Sequence, residues 1–187
     1  AGVDLNVAHI EGDNLLEELD RLQAAGHALP NLDTGAPLRD WGVTPISANA
    51  YLGGFGIAQA LAAGADIVVT GRVTDASLTA GPAAWWHGWT PDDWGPLAGA
   101  IVAGHVIECG AHATGGNFSG FATVPDLVDP GYPIAEIAAD GSSVITKHAG
   151  TDGLVTVDTV TAQLVYEIQG PRYLSPDATV HLDSVEL

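Results

Sequence analysis

The chain has 187 residues, 47% of them apolar, and its 5 Lys and Arg against 23 Asp and Glu give a formal charge of −18. That length and composition suit one domain with a sizeable core. The charge excludes a nucleic-acid-binding surface, which needs many cations to neutralise phosphates, and it disfavours an anionic membrane surface.

The lone cysteine, Cys109, excludes an internal disulfide and fits a reducing compartment, so a cytoplasmic location is expected. The longest apolar stretch, 97–107, contains His105 and is far short of the ~20 residues of a membrane span. The chain opens on Ala1, contains no Met and stops inside an alternating pattern. The expectation is a single α/β domain over 1–187 that is a fragment of a larger one.

Residues 3–10 alternate partly and predict a strand. Glu11-Gly12 breaks it, and Asp13 stands where an N-cap would. Leu15, Leu16, Leu19 and Leu22 then mark one face of a helix that stops at Gly26, with Glu17 and Arg21 spaced to pair on its solvent side. Residues 27–45 read as loop, rich in Pro and Gly. A second helix lies within 49–63, entered through Gly53-Gly54-Phe55-Gly56. A Gly-rich turn before a helix can cradle phosphate. The spacing here fits neither the dinucleotide nor the P-loop fingerprint, so close helix packing is the reading for these glycines.

Ile67-Val68-Val69 is a β-branched run without alternation, between Gly64 and Thr70-Gly71. It predicts a strand buried on both faces, as in a parallel sheet. Ligands gather at the carboxyl ends of such strands, where Arg72 and Asp75 fall. Asp75 is equally placed to cap the next helix, 75–87, which the pattern has broken at Gly81-Pro82. Trp85, Trp86, Trp89 and Trp94 follow within ten residues. Core packing, an apolar ligand pocket and a subunit contact all remain open for them. A helix over 97–109 ends at Gly110, and a small-residue loop follows. Residues 133–145 predict a hairpin around Asp140-Gly141. A helix over 157–168 has Thr156 or Asp158 at its start, and 178–187 reads as a last strand. The predicted architecture is α/β: a mainly parallel sheet flanked by helices, with one β-hairpin.

Two stretches carry candidate chemistry. His105, Glu108, Cys109 and His112 fall at i, i+3, i+4 and i+7, one face of a continuous helix. Metal ligation, acid–base work by Glu108 helped by His105 and Cys109, and ordinary burial are the three readings. A helix C-terminus disfavours a thiolate, which makes Cys109 the weakest nucleophile of the set. A Glu among apolar neighbours is the residue that most needs a functional reason. The second stretch, Thr146-Lys147-His148-x-Gly150-Thr151-x-Gly153, holds the only Lys, with hydroxyls and glycines suited to an anion. Against that stands a strand end with a solvated Lys.

Taken together, Asn49-Ala50-Tyr51-Leu52-Gly53, Gly64 to Asp75, Gly104-His105-x-x-Glu108-Cys109-Gly110, Thr114-Gly115-Gly116-Asn117-Phe118, Gly131-Tyr132-Pro133-Ile134 and Thr146-Lys147-His148-x-Gly150-Thr151 resemble the acyclic terpene utilisation family, AtuA type. The resemblance covers nearly the whole chain, as the central part of the family's main domain. It departs from the family pattern at His112, where Gln is usual, and at Asp152, where Gly is usual. It implies bacterial catabolism of citronellol and geraniol through acyl-CoA thioesters, without fixing a reaction. Within it the expected site is Glu108, His105 and Cys109 as catalytic groups. Arg72, Asp75, Asn117, Lys147, His148 and Thr151 are the expected substrate contacts, with no metal and a CoA thioester as substrate. The enzyme expected is a hydratase, lyase or isomerase acting by proton transfer on a small molecule, as a homo-oligomer. A non-catalytic binding or assembly subunit of a terpenoid acyl-CoA carboxylase is the alternative, and a metal hydrolase on His105, Glu108 and His112 a third.

Overall fold

The computed structural model describes residues 2–187. In chain order the elements are β1 (Val7–Ile10), α1 (Leu19–Ala24), α2 (Phe55–Ala62), β2 (Ile67–Thr70), α3 (Ser77–His87), α4 (Trp94–Ile107), β3 (Pro133–Ile137), β4 (Ser143–Lys147), α5 (Val157–Leu164), β5 (Arg172–Leu174) and β6 (Thr179–His181). Among the described residues no helix is long and apolar enough to cross a membrane.

The molecule is mixed α/β, but its strands form three separate two-stranded sheets, where a mainly parallel sheet was predicted. Only β1 and β2 run parallel, in register from Val7 opposite Ile67 to Ile10 opposite Thr70. The β3–β4 hairpin turns at Asp140-Gly141 as predicted, and β5–β6 forms a second, unforeseen antiparallel pair. The β2 run is not buried on both faces either: Ile67 and Val69 are 43% and 49% exposed. With one neighbour and a helix on one side only, a strand of this composition keeps an open face.

Helix α4 is the centre of the fold. Leu97, Ala100, Ile101, Ala103, Gly104, His105 and Val106 are all buried on it. Ala100 and Ile101 pack with Ala76, Ala80 and Ala83 around α3 and Val180 of β6. Val106 packs with Ala113 and with Val160 and Leu164 of α5. These contacts use small residues, so the backbones approach closely. A Cβ at Gly81 of α3 would lie 2.6 Å from the Gly54 carbonyl at the entry to α2, and one at Gly104 would lie 2.8 Å from the Ala76 carbonyl. The glycines before α2 therefore serve packing. The Gly54 N–H also donates to Asp177 Oδ2 at 2.8 Å, so the chain's own carboxylate occupies the helix start.

Other boundaries shift for local reasons. Asp13 caps no helix; its carboxylate instead accepts from the Arg72 N–H at 2.9 Å and Asn49 Nδ2 at 2.8 Å, tying three segments together. The first helix begins later, as a 3-10 turn over Leu16–Glu18 leading into α1, and Arg21 pairs with Glu18 and not Glu17. Helix α3 runs unbroken through Pro82, which forfeits one backbone bond while Ala80, Gly81, Ala83 and Ala84 stay buried against neighbours. Thr156 caps α5 through a reciprocal box with Thr159. That helix ends at Leu164, and Glu167 lies beyond it with φ +61. The final strand is only β6, followed by a 3-10 turn over Leu182–Ser184. Trp85, Trp86 and Trp94 are 42%, 74% and 66% exposed, so core packing does not explain them. Trp89 stacks on His87 at 5.1 Å and donates to the Ala139 carbonyl.

Candidate active site

The end of α4 governs the site. The helix stops at Ile107, and Gly110 takes φ +55 before a single 3-10 turn over Gly110–His112. The turn removes His112 from the face that carries His105 and Glu108. His112 packs edge-on against Tyr166 at 5.4 Å, and its buried Nδ1 has no partner among the described residues. The geometric premise for a metal held by His105, Glu108 and His112 is therefore absent. Among the described residues no three His, Cys, Asp or Glu side chains form a metal-holding group.

His105 and Glu108 instead face a cavity of about 520 Å³. Asp75, at the turn into α3, lines it with them. Tyr51 and Thr74 form another part of the wall, and Glu167, Ile168 and residues 173–176 close it from the far side. Four distant stretches of chain thus contribute three carboxylates, one imidazole and two phenols.

His105 is 4% exposed and doubly tied to the segment that carries Glu167. Its Nε2 lies 3.1 Å from the Tyr166 carbonyl, which can only accept, so that nitrogen carries a proton. Its own carbonyl accepts from Gln163 Nε2 at 3.2 Å. The ring also tilts against Tyr173 at 5.1 Å. His105 thus anchors the wall as well as lining it.

Three neighbouring groups sense the same carboxylates. Burial first, then the hydrogen bond and charge of Glu108, then Glu167 and Asp75, push the Cys109 thiol up to about 11. The Tyr166 phenol is raised chiefly by Glu167. The Tyr173 phenol is raised by burial and then by Asp75, Glu108 and Glu167. Cys109 is not in the cavity wall; its thiol donates to Glu108 Oε1. A thiol held protonated in this way is a hydrogen-bond donor to the carboxylate and a poor nucleophile at neutral pH.

Arg72 sits at the rim. Its guanidinium bonds Asp75 Oδ1 and the Val73 carbonyl and lies 4.8 Å over the Tyr51 ring. Its charge is thereby committed within the chain, in a half-exposed pair of the kind that adds about 0–1 kcal/mol. The remaining expected contacts are not in the wall. Lys147 Nζ donates to the Thr151 carbonyl at 2.8 Å and to Thr151 Oγ1 at 3.0 Å, and Thr151 Oγ1 donates to the His148 carbonyl. The 147–151 turn thus closes on itself, with His148 exposed. Asn117 Nδ2 reaches Gln163 Oε1 at 3.5 Å, behind His105.

Glu167, Tyr51, Tyr173 and Ser175 are wall residues that the sequence reading did not select. Tyr51 lay inside a quoted motif and was open to selection there. Glu167 gave no signal, because the helical pattern runs through it and nothing local announces a left-handed residue.

The arrangement suits proton transfer. Carboxylates exchange protons readily, and the raised Tyr173 phenol stays protonated and can donate to a developing oxyanion. Neither the curated proteins nor the solved structures contain a match to this chain. A family model described as acyclic terpene utilisation family protein AtuA matches residues 1–187, and the chain therefore belongs to that family.

Proposed function

We propose that the protein is an enzyme of acyclic terpenoid catabolism that moves a proton on a branched acyl-CoA, as a hydratase, lyase or isomerase does. The observation that carries this reading is the convergence of Glu108, Asp75, Glu167 and His105 on one cavity in a member of an acyclic terpene utilisation family. Glu108 is the acid–base group. It takes a proton from the carbon beside the thioester and delivers one to a second carbon, or to a departing hydroxyl that leaves as water. In the reverse direction it takes a proton from water as the oxygen bonds one alkene carbon and delivers a proton to the carbon beside the thioester. Tyr173 supplies an O–H to the thioester oxygen as charge builds there. His105 holds the Glu167 wall in place. Arg72 keeps Asp75 and Tyr51 in register at the rim. Lys147 and Thr151 hold their turn and make no substrate contact, and Cys109 acts through its bond to Glu108.

Turnover of a panel of acyclic terpenoid acyl-CoA thioesters tests this reading. Glu108→Gln should lower kcat by ~10²–10⁴-fold with KM little changed. The Glu136→Gln variant, on the exposed edge of the hairpin, should match wild type. Equal turnover in Glu108→Gln and wild type overturns the mechanism.

A second reading has its own observation. Leu78, Pro82, Trp85 and Trp86 form a groove with Ile137 and His87 that holds no Asp, Glu, Lys or Arg, and exposed Trp is characteristic of protein contacts. A non-catalytic assembly subunit of an acyl-CoA carboxylase would use that face and leave the cavity without turnover.

A further inference from the structure

We infer that the part of the ligand that enters the cavity is uncharged and carries oxygen as hydroxyl, ester or thioester carbonyl, so that free carboxylates and phosphates are rejected. This deepens the proposed function and rests on the reading that the cavity is the substrate site.

The wall holds three carboxylates, Asp75, Glu108 and Glu167, and no Lys or Arg. Arg72, the rim cation, is spent on Asp75 and Tyr51, and Lys147 is spent on Thr151. An anion entering here meets repulsion from Glu108 and Glu167, while the Arg72–Asp75 pair is neutral overall and leaves no free cation to offset the loss of its hydration.

The wall also contains a hydroxyl that needs a partner. Ser175 lines the cavity, and its buried Oγ has no hydrogen-bond partner among the described residues. An orphaned buried hydroxyl is costly. A turn of χ1 to another staggered rotamer would sacrifice no existing hydrogen bond. Tyr173, beside it, keeps its proton across the physiological range. A neutral oxygen can accept from these hydroxyls, and a ligand hydroxyl can also donate to a carboxylate. The apolar remainder of the ligand meets Ile168, Leu174 and Pro176.

The test uses the full chain at pH 7.5 and three probes sharing one acyclic skeleton: citronellol, methyl citronellate and citronellate. Calorimetric titration and thermal shift read the affinity. The alcohol and the ester should bind at least ~10-fold more tightly than the carboxylate. Ser175→Ala should weaken the alcohol ~3–10-fold, and Glu108→Gln with Glu167→Gln should narrow the gap by admitting the carboxylate. Citronellate binding as tightly as the ester in wild type overturns the inference. So does binding of all three probes that ignores these wall substitutions, or no binding of the neutral probes. Because turnover of Glu108→Gln is measured separately, a carboxylate-binding protein that still needs Glu108 would refute the ligand class while leaving the proposed chemistry intact.

Discussion

Cys109 is the only thiol in the chain and sits beside Glu108, which makes it a reporter for the charge in the cavity. Its thiol is raised from an ordinary 9.0 to about 11, first by burial and then by Glu108, Glu167 and Asp75. At pH 8 that shift cuts the thiolate fraction by ~100-fold. A more basic thiolate is also more nucleophilic, with a Brønsted slope of ~0.4–0.5, so the net alkylation rate should be ~10-fold below that of an exposed cysteine. Glu108→Gln removes the nearest charge but leaves the burial. If the thiol then falls by about one unit, alkylation at pH 8 rises by only ~3-fold after the same correction. Glu167→Gln and Asp75→Asn should each raise it by less, in that order. The assay is the rate of iodoacetamide labelling followed by intact mass across pH 7 to 10, with Glu136→Gln as the remote control. Identical rates in Glu108→Gln, Glu136→Gln and wild type would refute the clustering of these carboxylates around the end of α4.

Glu167→Gly should raise thermal stability. A left-handed non-glycine residue costs ~1–2 kcal/mol, glycine's extra unfolded freedom takes back ~0.5–1, and the net gain corresponds to ~1–4 °C in Tm. A lower Tm would show that the Glu167 side chain holds the wall together. Gly81→Ala should destabilise by ~1–3 kcal/mol, because its Cβ would sit 2.6 Å from the Gly54 carbonyl where α2 and α3 meet; a denaturant midpoint equal to wild type contradicts that crossing. The pH dependence has two signs. The raised Cys109 thiol contributes stability that is complete below 9.0 and is lost as pH rises through about 11, so Cys109→Ser should flatten the alkaline limb. Asp13, lowered by the Arg72 N–H and then by Asn49, contributes stability present above the ordinary carboxylate range and lost as pH falls through its depressed value. Asp13→Asn should accordingly flatten the acid limb, and unchanged limbs would contradict both assignments.

Features fixed by neighbouring residues were legible in the sequence. Asp140-Gly141 marks its hairpin, Thr156 its cap and Gly110 the end of α4, because each depends on backbone chemistry within a few positions. Features that depend on remote partners were not. The Ile67-Val68-Val69 run has the composition of a doubly covered strand, but composition does not count neighbours, and β2 has one. The scarcity of cations drew attention to Arg72 and Lys147, yet each satisfies a group a few residues away. The charges that meet in the cavity are negative. Asp75, His105 and Glu108 were selected from the sequence and line it, whereas Glu167 arrives there through a positive φ that no local pattern announces.

Solvent proton exchange tests the proposed chemistry most directly. The protein is incubated in D2O with an acyclic terpenoid enoyl-CoA, and deuterium in the acyl chain is read by mass spectrometry and NMR. The account predicts incorporation at carbon conjugated with the thioester in wild type and in Glu136→Gln, reduced at least ~100-fold in Glu108→Gln. Binding of the thioester without any incorporation by wild type, or equal incorporation by Glu108→Gln, would contradict it.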